Sequence, residues 1–472
     1  MVYLTSSICA LAYVGLSFFL LKIYQLNSYN VDLFLKNVFL LNFASGDKSK
    51  LILTKRIIRF TILLFIIAFG AFFLVNYLAT NLYVIITFYL IILVFMPFLM
   101  VFTHFLILPI EIIIKKNYKY KAIRKLNKTD IVKIGITGSY GKTSTKNILA
   151  TILQKQYKVC CTPKNYNTEM GLTKTILKDL DDHDIFIAEM GARHKGDIEV
   201  LAKMLKPHYG ILTTIGPQHI ETFKNLNTIE QTKFELPLNL EKNGIMVFNG
   251  DSKSTQKLYN VFNGEKYLAC DKNGFSYADN INLTSRGSSF DLVINGEKLT
   301  VKTKLLGNCN IDNIVTAATL AYILGIKKED IISAINSLTP TPHRLEIIEN
   351  NYNTVIDDSY NSNLTGAKEA LAVISKFEGK KIVVTPGFVE MGAEQSSANF
   401  VFGGLIADVA DYLVIMNEVN KNQLFSGAIA HNFNKDKIYF ASTRKKQKEI
   451  LSLLSTKDSV ILFENDLPDN YR

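Results

Sequence analysis

Tryptophan is missing from the 472 residues, and cysteine occurs only five times. Those cysteines (Cys9, Cys160, Cys161, Cys270 and Cys309) form no CxxC pair and no Cys/His metal spacing. A disulfide-stapled secreted scaffold and a zinc ribbon are thereby excluded, and reduced thiols in a reducing compartment are expected. Glycine, at 26 residues, is far too sparse for a collagen-like chain. Charge is scarce too: Asp, Glu, Lys and Arg make up 20% of the chain against 48% hydrophobic residues. A disordered chain is excluded, and something besides a soluble core must account for the apolar excess.

That excess sits in the first quarter. Residues 1–21 carry no charge, and Lys22 is the first charged residue. No basic segment precedes the run and no small-residue cleavage site follows it, so it reads as a membrane helix rather than a signal peptide. From Phe60 to Ile110 there is again no Asp, Glu, Lys or Arg. As one helix this stretch would run about 75 Å at ~1.5 Å per residue, against a hydrocarbon core of ~30 Å. Two spans turning at Ala79-Thr80-Asn81 are therefore expected. The membrane region is placed at 1–115, with transmembrane helices at about 3–24, 57–78 and 82–104, Pro97 being tolerated inside the last.

Orientation follows from the basic loops. Lys36, Lys48, Lys50, Lys55, Arg56 and Arg59 lie between the first two spans. Lys115, Lys116, Lys119, Lys121, Arg124, Lys125 and Lys128 follow the third. The positive-inside rule puts both segments in the cytoplasm and the N-terminus outside, making a multi-pass protein of the inner (cytoplasmic) membrane. The net charge of +11 is assigned to anionic membrane lipid rather than nucleic acid.

After a basic linker at 116–130 the pattern becomes α/β. Apolar runs at 131–136, 185–188 and 209–213 read as buried parallel strands separated by helical segments. Asn273-Gly274 and Asn295-Gly296 predict hairpins within 265–305. Pro340 and Pro342 mark a boundary, beyond which strands and helices alternate again. The expected fold is a P-loop-type central domain with a parallel sheet (131–339), followed by a Rossmann-like C-terminal domain (340–472).

The strongest chemical signal is Thr137-Gly138-Ser139-Tyr140-Gly141-Lys142-Thr143-Ser144. A strand leading through glycines into a helix presents backbone N–H groups to phosphates. Lys142 can reach the β- and γ-phosphates, and Thr143 or Ser144 can hold Mg²⁺. Ile136 stands where the usual first glycine belongs. This G-x-x-G-K-T form resembles the phosphate loop of the Mur ligases, the ATP-dependent amide synthetases of peptidoglycan precursors.

Further segments resemble that family in order. Thr162-Pro163-Lys164-Asn165-Tyr166-Asn167, with Glu169 and Gly171, is similar to TPxNxNxExG. Ala188-Glu189-Met190-Gly191 with Gly196-Asp197-Ile198 resembles EMG…GEI. Ile215–Glu221 is similar to IGxSHIE, Thr232–Glu235 to AKxE, Gly307–Asn313 to GxHNxxN, and Asp357–Asn363 to DDSYNAN. The first and last of these are most like the D-alanyl-D-alanine-adding members. Gly387–Gly392 is a loose match to GDMLELG.

The resemblance implies addition of D-alanyl-D-alanine to a UDP-N-acetylmuramoyl-tripeptide through an acyl phosphate, with ATP and Mg²⁺. It implies metal contacts from Thr143, Glu189, His219 and Lys233, the last as a carbamate, because a bare ammonium beside two Mg²⁺ would be adverse. Lys142, Lys233 and His219 are the implied catalytic set. Nucleotide contacts fall to the loop residues and to Asn310, Asn313, Arg344 and Asp358. An amide can read adenine, an aspartate can take ribose hydroxyls, and an arginine can neutralise phosphate. Asn165, Asn167 and Asn361 are implied on the substrate side. Cys309 replaces the family's usual histidine, and His343 its usual glycine. Soluble members begin with a domain that holds the UDP-muramoyl end; here membrane helices occupy that place. Other readings are a membrane-bound ligase of poly-γ-glutamate synthetase type and a non-catalytic ATP-binding scaffold for other cell-wall enzymes.

Overall fold

The computed structural model describes residues 2–27, 29–39, 51–78, 81–164, 166–349, 352–360 and 362–467. It divides into two compact units, one reaching Tyr118 and the other Lys119–Leu467.

The first unit is helical: Val2–Leu26, Val31–Phe39, Lys55–Leu78, Leu82–Val94 and Met96–Leu126. Its interior is aromatic, with Tyr24 set edge-on to Phe34 at 5.6 Å between centroids and both side chains buried. Arg59 and Glu111 form an ion pair of 2.7 Å between two of the helices. Among the described residues two helices, not the expected three, are long and apolar enough to cross a membrane: Lys55–Leu78 and Met96–Leu126. Leu11–Leu26 and Tyr83–Val94 are apolar but shorter. The expected span at 82–104 breaks at Phe95. Pro97 has no N–H to give the carbonyl of Leu93, so the helix ends and a new one begins, with the proline in its first turn, where a missing donor costs nothing. Pro109, not Pro97, lies inside a helix. The basic stretch expected to be a linker is helical as far as Leu126.

The second unit holds two sheets. The strands of the first are β1 (Val132–Thr137), β2 (Val159–Cys161), β3 (Ile185–Glu189), β4 (Tyr209–Leu212), β5 (Ile245–Asn249), β6 (Glu265–Ala269), β7 (Ser276–Thr284), β8 (Gly287–Ile294) and β9 (Glu297–Thr303). Their order is β2-β3-β1-β4-β5-β6-β7-β8-β9, parallel through β7 and antiparallel thereafter. Alternation within β3 shows why its apolar run is unbroken. Ile185 and Ile187 join the core beneath the helices Lys142–Leu153 and Asn308–Ile323. Phe186 and Ala188 join the opposite core, with Asp197–Leu205. A strand covered on both faces has no polar side to show.

The β8–β9 hairpin turns at Asn295-Gly296, with φ of 50° and 78°, as a two-residue turn requires. Asn273-Gly274 makes no hairpin. It joins β6 to β7, which run parallel and meet only at Ala269 and Ser276; the second hairpin turns instead between Thr284 and Gly287.

The other sheet comprises β10 (Glu346–Glu349), β11 (Thr354–Asp358), β12 (Lys381–Thr385), β13 (Tyr412–Met416), β14 (Ile438–Ala441) and β15 (Val460–Glu464). Its order is β10-β11-β15-β12-β13-β14, with only β10 antiparallel. The carboxyl ends of the parallel strands carry the loops that matter next, as expected of open α/β sheets.

Candidate active site

The loop between β1 and the helix Lys142–Leu153 is built by two glycines in left-handed backbone, Gly138 (φ 148°) and Gly141 (φ 81°). A side chain at Gly138 would strike Thr213, and one at Gly141 would strike Asn313. The loop is tied to the strand-end segment after β4: Ser139 Oγ donates to Gly216 O (2.8 Å) and Tyr140 OH to Pro217 O (2.5 Å). The helix N-terminus beyond Gly141 has free N–H groups and a positive dipole end, a ready anion site. Lys142 curls back over the loop, Nζ donating to Gly138 O (2.7 Å) and Ser139 O (2.8 Å). Burial pulls its pKa down to about 8, with Glu189 resisting and Arg344 assisting.

Glu189, the last residue of β3, is 3% exposed. Its Oε2 accepts from Thr143 Oγ1 (2.9 Å) and Lys146 Nζ (3.1 Å), and its Oε1 from Asn167 Nδ2 (3.2 Å). Burial alone would raise its pKa, but the Lys146 and Lys142 ammoniums hold it below the usual carboxylate range. Lys146 also donates to the carbonyls of Thr162 and Lys164, each at 2.8 Å. No motif in the sequence singles out Lys146. The available signal was its place one helical turn after Lys142, on the same face.

Lys233 closes the helix Leu226–Lys233 and is 2% exposed. Among the described residues no group accepts a hydrogen bond from it. Burial, then Lys142, push its pKa well below that of a free lysine, against weaker pulls from Asp197 and Glu235. His219, in left-handed backbone (φ 52°), meets Glu390 at 2.9 Å between Nδ1 and Oε2.

The nucleotide-side candidates border the same space. Asn313 Oδ1 accepts from Thr145 Oγ1 (3.0 Å), Asn310 Nδ2 donates to Leu306 O (2.9 Å), and the Arg344 guanidinium lies over Tyr360 at 4.8 Å. Asp358 Oδ1 accepts from Leu345 N (3.1 Å), and burial raises its pKa to about 6. Ser139 to Ser144, Asn167, Glu189, His219, Lys233 and these four residues all line one cavity of about 1040 Å³. Gly138 is not among its walls. Asn165 and Asn361 lie outside the described residues.

A glycine loop feeding a helix N-terminus, faced across a cleft by a second parallel α/β layer, defines a nucleotide-dependent enzyme of two catalytic domains. Residues 136–321 match the Mur ligase middle domain, and residues 343–464 match the Mur ligase, glutamate ligase domain. The chain belongs to the Mur ligase family.

Among curated relatives, a UDP-N-acetylmuramoyl-tripeptide–D-alanyl-D-alanine ligase of Buchnera aphidicola is 33% identical over 283 residues, 59% of this chain and 62% of that one. The enzyme of the same name from Bacillus subtilis is 28% identical over 335 residues, 70% of this chain and 72% of that one. The chain thus spans about three fifths to three quarters of these relatives. Among solved structures, MurF from Acinetobacter baumannii superimposes with a TM-score of 0.68 at 22% identity, over 75% of this chain and 77% of that one. The MurF ligase of Thermotoga maritima in complex with ADP gives 0.67 at 25% identity, over 75% and 80%.

Proposed function

We propose that this chain joins D-alanyl-D-alanine to UDP-N-acetylmuramoyl-tripeptide at the expense of ATP, from the cytoplasmic face of the inner membrane. The observation that carries this reading is that the phosphate loop, Glu189, His219 and Lys233 share one cavity with Arg344 and Asp358. The substrates are those in the names of the relatives.

The chemistry runs in two steps. A carboxylate oxygen of the tripeptide attacks the γ-phosphorus of ATP, forming an acyl phosphate and releasing ADP. The amine of D-alanyl-D-alanine then attacks the acyl carbon, phosphate leaves, and the nitrogen gives up a proton. The helix N-terminus at Lys142 and the loop amides hold the phosphates, while the Lys142 ammonium moves from its own loop carbonyls to the transferring phosphoryl group. Arg344 lines the same cavity as a further cation, and Asp358 and the two asparagines take the nucleoside.

The donors Thr143, Glu189 and His219 fit Mg²⁺, because Glu189 is kept ionised inside the protein by Lys146 and Lys142. Bound there, Mg²⁺ would supply charge neutralisation at the phosphate oxygens. Lys233 is suited to carbamylation. Burial favours its uncharged amine, which can add to carbon dioxide with loss of one proton, making the side chain an anion. Asn165, Asn167 and Asn361 are assigned to the acceptor.

The finer division is 1–115 for the membrane region, 116–130 for the basic connection, 131–339 for the central domain and 340–472 for the C-terminal domain. Three membrane passes with the N-terminus outside are favoured by the basic residues before and at the start of Lys55–Leu78 and by those following residue 114. Membrane lipid is then a standing partner, and neighbouring cell-wall enzymes share the same surface.

The test is ADP release by the full chain in membranes. It should require both UDP-N-acetylmuramoyl-tripeptide and D-alanyl-D-alanine. Turnover with glutamate polymers in their place would transfer the reading to a poly-γ-glutamate type of ligase, and ATP binding without turnover on any pair would leave a scaffold.

A further inference from the structure

Glu390 does not line the cavity, yet the fold invests heavily in where it points. It follows β12 in the loop Pro386–Gly392, 171 residues beyond its partner His219. Three buried asparagines hold the backbone of that loop. Asn399 exchanges two bonds with Phe388, accepting from its N–H at 2.8 Å and donating to its carbonyl at 3.0 Å. Asn420 Nδ2 donates to Pro386 O and Phe388 O, both at 3.0 Å, and Asn465 Nδ2 to Gly387 O at 2.7 Å. Phe388 is buried and stacked on Phe402 at 4.7 Å.

From this fixed base Glu390 stands in left-handed backbone (φ 63°), and the histidine it meets does too (φ 52°). For non-glycine residues each such conformation is strained, and such strain gathers at functional sites. Here both partners of one contact carry the strain, and they come from the two different catalytic domains. The carboxylate oxygen of Glu390 lies 2.9 Å from Nδ1 and can only accept, so the imidazole Nδ1–H donates. The lone pair of His219 is then on Nε2.

We propose that Glu390 is a positioning residue for His219: it fixes the tautomer and ring orientation, so that the middle domain's histidine is set as a metal donor only when the C-terminal domain is seated on it. The inference rests on the reading of His219 as a Mg²⁺ contact. Outer partners of metal-bound histidines set ligand basicity and geometry, and their loss typically weakens metal affinity by about 10- to 100-fold.

The test uses the full-length chain in detergent with Mn²⁺ as the probe, its affinity read by electron paramagnetic resonance at saturating ADP. ADP affinity in chelator is measured alongside. Glu390→Ala should weaken Mn²⁺ about tenfold and leave metal-free ADP affinity alone. In a His219→Ala background the same change should have no further effect, since a group acting through the histidine has nothing left to act on. Glu390→Asp should recover part of the loss.

Unchanged Mn²⁺ affinity in Glu390→Ala, where His219→Ala does weaken it, overturns the proposal alone. So does an equal loss in both backgrounds. Unchanged affinity in His219→Ala overturns the metal reading of that residue, and the proposal with it.

Discussion

Lys146 and Glu189 meet inside the protein, Nζ 3.1 Å from Oε2, with each side chain 2% exposed. Neither is there for the other alone. The lysine also closes on the carbonyls of Thr162 and Lys164, and the glutamate also accepts from Thr143 and Asn167. One ammonium therefore sets the strand-end carboxylate and pins the start of the segment that carries Asn167.

Removing that ammonium strands a buried carboxylate. Lys146→Met should cost about 3–5 kcal/mol, the scale for breaking a buried pair by deleting one partner. Thermal unfolding would report it. Lys146→Arg should not restore stability, because a planar guanidinium cannot place one nitrogen between two carbonyls and a carboxylate as Nζ does. A methionine variant as stable as the parent would mean the pair contributes nothing.

Lys142 should behave oppositely. Among the described residues its bonds go to carbonyls of its own loop, so Lys142→Ala should keep its unfolding temperature. Turnover should nevertheless fall by about 100- to 1000-fold, as when a single group aimed at developing charge is removed. Near-normal turnover would remove the loop from the chemistry.

The difference between these two lysines marks what the sequence discloses. The strand into Thr137, its glycine turn and the helix from Lys142 are local: an apolar run, two positions that reject a Cβ, and a helical period. Glu189 is legible for the same reason, at the end of another such run. Lys146 is not, because a lysine within a helix reads as solvated until Thr162, Lys164 and Glu189 are seen around it. Glu390 is harder still, its partner being 171 residues away. Two local signals misled. Asn273-Gly274 marks a turn whether the next strand pairs antiparallel or parallel. A charge-free run through Pro97 reads as one span because composition does not register a missing N–H.

A pH effect on stability follows from Asp312, whose carboxyl is pushed up to about 7 by burial, with Asp251 and Glu369 adding to the rise. Its folded pKa lies above the unfolded value of about 4. The unfolded chain therefore gives up this proton first, and the term destabilises the fold increasingly from about pH 4 to 7, reaching its full size above 7. Asp312→Asn should raise the unfolding temperature, and the gain should be larger at pH 8 than at pH 5.5. Equal gains at both pH values would mean the charge is not the cause.

Lys233 offers the sharpest distinction between a surface-type lysine and a functional one. It is buried, lacks a hydrogen-bond acceptor among the described residues and lines the cavity with Lys142. As a carbamate it would be an anion beside the phosphate loop, a role that a permanent cation cannot fill. Lys233→Ala should lower turnover by at least ~100-fold, the scale of a lost electrostatic contact at the reacting centre. Added formate or acetate should recover part of it by entering the vacated space as an anion. Lys233→Arg supplies the positive charge that a surface-type lysine would carry and should be as inactive as alanine, with no recovery, because no space is vacated. A fully active arginine variant, folded to the same unfolding temperature, would leave Lys233 a packing residue of its helix, and the metal site would need another donor.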